Sequence, residues 1–109
     1  MINITIYRNA EKQITGFVVL GHSGYAEAGS DIVCSAVSAL VINTINSIQH
    51  FTSDQFRLEQ DEDTGYIEFH VISPVSGNTT LLLNSLALGL QGVSEGYKSY
   101  VKLSQVKSQ

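Results

Sequence analysis

The sequence predicts an α+β fold: a two-layer sandwich in which two helices lie on one face of a mostly antiparallel sheet. Three observations predict it. Short segments alternate apolar with polar residues, two longer segments repeat apolar residues at three- and four-residue steps, and the short segments occur in pairs. The predicted element order is ββαββαβ. A length of 109 residues suits one domain over residues 1–109, because no linker, internal repeat or low-complexity tract divides the chain.

The first part of the chain predicts a hairpin followed by a long helix. From Ile2 to Ile6, isoleucines alternate with polar residues as in a half-buried strand, and an apolar segment from Ile14 to Gly21 predicts the second strand. From Asp31 to about Phe51, apolar residues recur with helical spacing. Ser30 or Asp31 is a suitable N-cap, because a short polar side chain can accept a hydrogen bond from the unpaired N–H groups of the first turn.

The second part repeats the arrangement. Strands are predicted from Phe56 to Gln60 and from Tyr66 to Ile72, then a helix from about Thr79 to Ser99 and a last strand from Tyr100 to about Lys107. Glycine in a helix costs roughly 1 kcal/mol relative to alanine. We therefore expect the glycines of this helix to lie close to another backbone, most simply that of the first helix; they are Gly89, Gly92 and Gly96.

The composition argues against several classes of partner. A formal net charge of −4, with six Lys and Arg in total, supplies no basic face for direct nucleic-acid binding. Four acidic residues cluster between Glu59 and Asp63. The sign of this cluster suits a basic protein or peptide partner, but a solvated turn between two strands is the favoured explanation.

The cytoplasm is the expected compartment. A single cysteine excludes an internal disulfide framework and is compatible with a reducing environment. The alternating N-terminal segment lacks the continuous apolar core of a signal peptide. No apolar stretch is expected to reach the roughly 18 residues needed to cross a membrane, so no membrane partner is expected.

Cys34 is the candidate nucleophile. It is expected in the first turn of the first helix, where unpaired N–H groups and the helix dipole favour thiolate over thiol. Asp31 and Ser38 lie three residues before and four after it, so the three side chains share one face of an otherwise apolar helix. The alternative is that Cys34 is a small buried apolar residue, as most unpaired cysteines are.

His22 is the candidate general base. It follows the second predicted strand between Gly21 and Gly24, whose small size lets the backbone turn sharply and leaves the imidazole accessible. A neutral imidazole can take the proton of a thiol and then give it to a leaving amine. The alternative is an ordinary surface histidine at a strand end. His50 and His70 lie in a helix end and a strand, without such a loop beside them.

The supporting roles stay open. Asp31 could cap the helix or orient the His22 ring as the third member of a triad. Ser38 could hydrogen-bond within the site or bond back to its own helix. Backbone N–H groups near Cys34 or in the glycine-bounded loop would most simply bind the oxyanion. No histidine or cysteine pair has zinc-ligand spacing, so neither a metal site nor a cofactor is expected.

The segments from Gly21 to Ala26 and from Gly29 to Ser38 closely resemble the signature of the ribosomal-processing cysteine protease family, called Prp. The resemblance covers essentially the whole chain. It implies His22 and Cys34 as the catalytic pair. The candidate supporting or substrate-binding positions in these segments are Gly21, Ser23, Gly24, Tyr25, Gly29, Asp31 and Ser38.

The resemblance also implies a biological role. Members of the family are cytoplasmic, homodimeric proteases that remove a short N-terminal extension from a large-subunit ribosomal protein. The precursor of that ribosomal protein is then the expected substrate and partner. The alternative from a different functional class is a non-enzymatic ribosome-assembly module that binds the tail of a ribosomal protein.

Overall fold

The computed structural model describes residues 1–21 and 28–107, with the backbone alone at residues 28–31. Its elements follow the predicted order ββαββαβ, which confirms the predicted α+β class. They are β1 (Ile2–Arg8), β2 (Ile14–Leu20), α1 (Ala28–Phe51), β3 (Phe56–Asp61), β4 (Tyr66–Val71), α2 (Gly77–Gly96) and β5 (Val101–Lys107).

The five strands form one sheet in the order β3-β4-β2-β1-β5. Three of the four neighbouring pairs are antiparallel, as the sequence predicts. The exception is β5, which pairs parallel to β1 with Ile2 opposite Val101. A parallel neighbour requires a long connection, and here the rest of the chain lies between the two strands.

Both helices pack on one face of the sheet. The register places Ile6 opposite Phe17 and Phe17 opposite Phe69, so alternate residues of neighbouring strands point to the same side. These side chains form a single buried cluster with residues of both helices. The buried apolar members of α1 are Val33, Val37, Val41, Ile45 and Ile48, and those of α2 are Leu83, Leu86 and Leu90.

The start of α1 differs from the prediction. The helix begins at Ala28, so Ser30 and Asp31 lie within its first turn and neither can be its N-cap. Residues with short polar side chains favour the N-cap, but an acidic residue is also stabilising inside the first turn because of the helix dipole. Ser30 and Asp31 therefore fit either the N-cap or the first turn. For this reason the sequence pattern placed the start of the helix at Asp31, three residues too late.

Helix α2 is shifted towards the N-terminus relative to the prediction. Ser76 is its N-cap, and the Ser76 hydroxyl accepts a hydrogen bond from the Thr79 N–H at 3.3 Å. The helix ends at Gly96, where the chain leaves the helix through Tyr97 at φ −136° and ψ 53°. The predicted end at Ser99 was wrong because the apolar spacing continues past the glycine.

Of the three glycines expected to lie close to another backbone, only Gly89 packs against α1, and the neighbouring atoms there belong to a side chain. A Cβ on Gly89 would lie 3.2 Å from Leu40 Cδ1 of α1, so the absence of a side chain at Gly89 leaves room for Leu40. A Cβ on Gly92 or Gly96 would meet nothing within 4 Å. The predicted close packing is therefore wrong for these two residues.

Helix α1 also corrects the expectation that no apolar stretch is long enough to cross a membrane. Its segment Ile32–Phe51 is long and apolar enough by composition. Five of its Val and Ile side chains are at most 4% exposed, because they face the sheet. Packing of a core helix accounts for these apolar residues.

Candidate active site

A groove of about 450 Å³ lies between α1, from Cys34 to Ile42, and the tip of the β3–β4 hairpin. We call it the Cys34 groove. The described residues that line it are Ile2, Val19, Gly21, Cys34, Val37, Ser38, Ile42, Gln60, Asp61, Glu62, Gly65, Tyr66 and Ile67. Its volume lies within the range of about 300–1,000 Å³ that is typical of ligand pockets.

The register of the sheet explains why these residues meet. Val19, near the end of β2, lies opposite Ile67 at the start of β4, and Ile67 lies opposite Gln60 near the end of β3. The start of β1 is beside the end of β2. The start of β1, the end of β2, the end of β3 and the start of β4 therefore lie side by side at the same end of the sheet, next to the helix that follows β2. On the edge strand, the inward-facing Leu58 is still 37% exposed, so the helices leave this part of the sheet uncovered.

Cys34 is half-buried and packs against the core beside the groove. Because α1 begins at Ala28, Cys34 is its seventh residue and lies in the second turn, not in the first as predicted. The effect of the helix dipole falls off within the first turn. N–H groups at this depth bond to carbonyl groups of the preceding turn, so the backbone around Cys34 is not a source of oxyanion donors.

Ser38 lies one turn after Cys34, is exposed, and lines the same groove. Its hydroxyl makes no hydrogen bond to any of the residues that the structure describes. By contrast, the hydroxyls of Thr44 and Thr52 each donate to the carbonyl four residues earlier, at 2.8 Å. Of the two roles open from the sequence, bonding back to the helix is therefore wrong for Ser38, and its hydroxyl is available to a ligand in the groove.

Gly21 forms the corner that leads from β2 towards His22. Its φ of +93° is a conformation that residues with side chains rarely adopt. A Cβ on Gly21 would also lie 2.8 Å from the carbonyl oxygen of Met1, which is closer than two such atoms can approach. Glycine is therefore required at this position.

Several of the predicted site residues lie outside the residues that the structure describes. His22, Ser23, Gly24 and Tyr25 fall among residues 22–27, which the structure does not describe. Gly29 and Asp31 are described only as backbone positions in α1. The pairing of His22 with Cys34 and the role of the Asp31 carboxylate therefore stay predictions.

The other two histidines lie away from the groove. The ring of His50 packs edge-on against Phe51 at the end of α1. His70 lies in β4, with its Nε2 atom 2.7 Å from Glu68 Oε2 and its ring against Tyr7. Within residues 1–21 and 28–107, no group of three or more His, Cys, Asp or Glu residues could hold a metal ion.

Sequence reasoning missed most of the groove. Its apolar floor combines Ile2, Val19 and Ile67, and its acidic wall contains Asp61 and Glu62. Periodicity marks the first three as core residues and the last two as turn residues. Only the sheet order, with β4 beside β2, brings them next to Cys34.

Comparisons with known proteins identify the family of the chain. Residues 1–102 match the family model described as cysteine protease Prp. The ribosomal processing cysteine protease Prp of Bacillus subtilis is 30% identical over 108 residues, covering 95% of this chain and 96% of its own.

Two crystal structures of the ribosomal processing protease Prp from S. aureus are also similar. One is in complex with a substrate peptide (TM-score 0.91, 26% identity, covering 97% of this chain and 100% of that one). The other is in complex with a covalently linked product peptide (TM-score 0.88, 27% identity, with the same coverage). With the family model matching nearly the whole sequence and the only cysteine lining the groove, the chain belongs to the Prp family of cysteine proteases.

Proposed function

We propose that this protein is an endopeptidase that removes a short N-terminal extension from a large-subunit ribosomal protein, with Cys34 as nucleophile and His22 as general base. The position of the only cysteine in a peptide-sized groove carries the proposal. The B. subtilis relative is named a ribosomal processing cysteine protease, and a covalent product complex is known for the S. aureus protein. Both support the same reaction here.

The reaction has two stages. His22 takes the Cys34 proton, and the thiolate attacks the carbonyl carbon of the scissile peptide bond. The tetrahedral intermediate collapses as His22 gives the proton to the leaving amine, which leaves the N-terminal fragment as a thioester on Cys34. Water, deprotonated by His22, then attacks the thioester. The released products are the N-terminal fragment as a carboxylic acid and the Cys34 thiol.

The oxyanion of the intermediate needs hydrogen-bond donors. The amides of α1 around Cys34 are used within the helix, so the donors must come from elsewhere. The Ser38 hydroxyl lines the same groove with no partner among the described residues, and we propose it as one donor. Removing one such donor typically costs about 10²–10³-fold in kcat. Ser38→Ala should therefore lower kcat, whereas Ser35→Ala, at an exposed position that does not line the groove, should not.

We further propose a cytoplasmic homodimer, as the resemblance to the family implies. A single cysteine in the whole chain is compatible with a reducing compartment and supports the first part. Sedimentation of the purified chain tests the second part, because a dimer should give twice the chain mass of 11.8 kDa.

A cleavage assay on the ribosomal-protein precursor tests the proposed function. The wild type should release the extension and leave one new N-terminus, which mass spectrometry identifies. Cys34→Ser should leave the precursor intact while still binding it. Binding of the precursor without cleavage by the wild type would support the non-enzymatic assembly module instead.

A further inference from the structure

The two sides of the Cys34 groove differ in chemistry. Its floor is apolar and contains Ile2, Val19 and Ile67. The wall opposite α1 carries the exposed side chains of Asp61 and Glu62. The described residues that line the groove include no Lys, Arg or His. A ligand in the groove therefore meets apolar surface below and two negative charges at one side.

The turn of the hairpin holds the acidic wall in place. One carboxylate oxygen of Asp61, Oδ1, accepts a hydrogen bond from the Asp63 N–H at 3.0 Å. The Gly65 N–H donates to the Glu62 carbonyl at 3.3 Å, and Gly65 adopts φ +67°, as a tight turn requires. The second Asp61 oxygen and the Glu62 carboxylate make no hydrogen bond to the residues that the structure describes. Both groups are thus positioned at the groove and open to a ligand.

We propose that the groove selects peptide segments that carry a basic side chain next to apolar ones, with Asp61 and Glu62 as specificity-determining residues. This inference rests on the proposed function, since it concerns the same site. Apolar side chains of an extended peptide cover the floor, while an ammonium or guanidinium group lies against the two carboxylates. An acidic residue at that position is repelled. The net charge of −4 attracts the same class of peptide from a distance.

The competing explanation is that the acidic residues only keep the hairpin turn solvated. The chain offers matched controls that separate the two explanations. Glu59 precedes Asp61 on the same strand, lies opposite Glu68, and does not line the groove. Glu11, in the β1–β2 connection, is also exposed and away from the groove. Neutralising Glu59 and Glu11 changes the net charge as much as neutralising Asp61 and Glu62.

The experiment measures the affinity of fluorescent peptides for Cys34→Ala protein, which binds without turnover. The peptides are identical apolar segments that contain lysine, glutamine or glutamate at one scanned position. The lysine peptide should bind about two- to ten-fold more tightly than the glutamine peptide, as expected for one or two exposed ion pairs. The preference should shrink at 1 M salt, where the screening length is about 3 Å.

The variants identify the source of the preference. Adding Asp61→Asn and Glu62→Gln to the Cys34→Ala protein should abolish the preference for the lysine peptide. Adding Glu59→Gln and Glu11→Gln instead should leave this preference unchanged at low salt. Adding Asp61→Lys and Glu62→Lys should reverse it in favour of the glutamate peptide. Equal affinity for all three peptides, equal losses in both double variants, or no peptide binding at all would overturn the proposal.

Cleavage of the same peptides by the wild-type protein separates this inference from the proposed function. A lysine preference in binding without any cleavage would leave the specificity of the groove standing and would refute the protease. Cleavage at equal rates and equal affinities for all three peptides would leave the protease standing and would refute the role of Asp61 and Glu62.

Discussion

The substitution Gly21→Ala tests the corner between β2 and His22. A non-glycine residue held at positive φ costs about 1–3 kcal/mol. The added Cβ would also lie 2.8 Å from the Met1 carbonyl oxygen. The Met1–Ile2 peptide that carries this oxygen is held in place by its N–H, which donates to the Tyr100 carbonyl at 2.8 Å. We expect the free energy of unfolding to fall by about 1–3 kcal/mol, or the corner to move.

The matched control is Gly92→Ala in α2. A Cβ there meets nothing within 4 Å, so the only effect is the gain in helix propensity, up to about 1 kcal/mol. The same chemical change should thus destabilise at Gly21 and stabilise at Gly92. Urea unfolding followed by circular dichroism measures the change in the free energy of unfolding of both variants. In thermal unfolding, each kcal/mol corresponds to roughly 4–8 °C in Tm for a domain near this size.

The activity readout distinguishes a local effect from general destabilisation. Because Gly21 immediately precedes His22, turnover by Gly21→Ala should fall even at temperatures where the variant is fully folded. Wild-type stability together with wild-type turnover in Gly21→Ala would refute the reasoning about this corner.

Three further predictions concern other parts of the chain. Gly16→Ala should destabilise the fold by about 1–3 kcal/mol in urea unfolding, because its Cβ would lie 2.5 Å from His70 Nδ1 and equally close to a backbone carbonyl oxygen; unchanged stability would contradict this contact. The Ser76 N–H donates to Asp54 Oδ2 at 2.9 Å, which is the main reason why the pKa of Asp54 is lowered. The ionised Asp54 carboxylate therefore stabilises the fold at pH values above the ordinary pKa of aspartate, and this stabilisation is lost as the pH falls through the lowered pKa of Asp54. The free energy of unfolding should differ between wild type and Asp54→Asn by about 0.5–1.5 kcal/mol at pH 7, and the difference should vanish in strong acid. A constant difference at all pH values would count against the ionised acceptor. His22→Ala should lower kcat about 10²–10⁴-fold with little change in peptide affinity, and a loss of affinity at unchanged kcat would make His22 a binding residue instead.

The sequence predicted the elements of the fold because local patterns encode them. Alternation over Ile2–Arg8 and the turn at Gly65 predict strands and a hairpin that the structure contains. The boundary of α1 was wrong, because Asp31 fits both an N-cap and a first turn. That error also misplaced Cys34 relative to the helix dipole.

The arrangement of the site could not be predicted in the same way. The acidic turn that contains Asp61 and Glu62 was open to two explanations, a partner site or a solvated loop. What places it at the groove is the pairing of Val19 with Ile67, which is a contact between distant parts of the chain. Local patterns do not specify such pairings, so the sequence singles out Cys34 as the candidate nucleophile but does not predict which residues surround it.

The covalent intermediate tests the central claim that Cys34 is the nucleophile. The enzyme is mixed with the extended ribosomal-protein precursor, quenched in acid within one turnover, and analysed by mass spectrometry of the intact protein and of its proteolytic fragments. We predict an adduct on the Cys34 fragment with the mass of the released extension less one water, and neither adduct nor product with Cys34→Ala. Full cleavage of the precursor by Cys34→Ala, or an adduct on any other residue, would contradict the account.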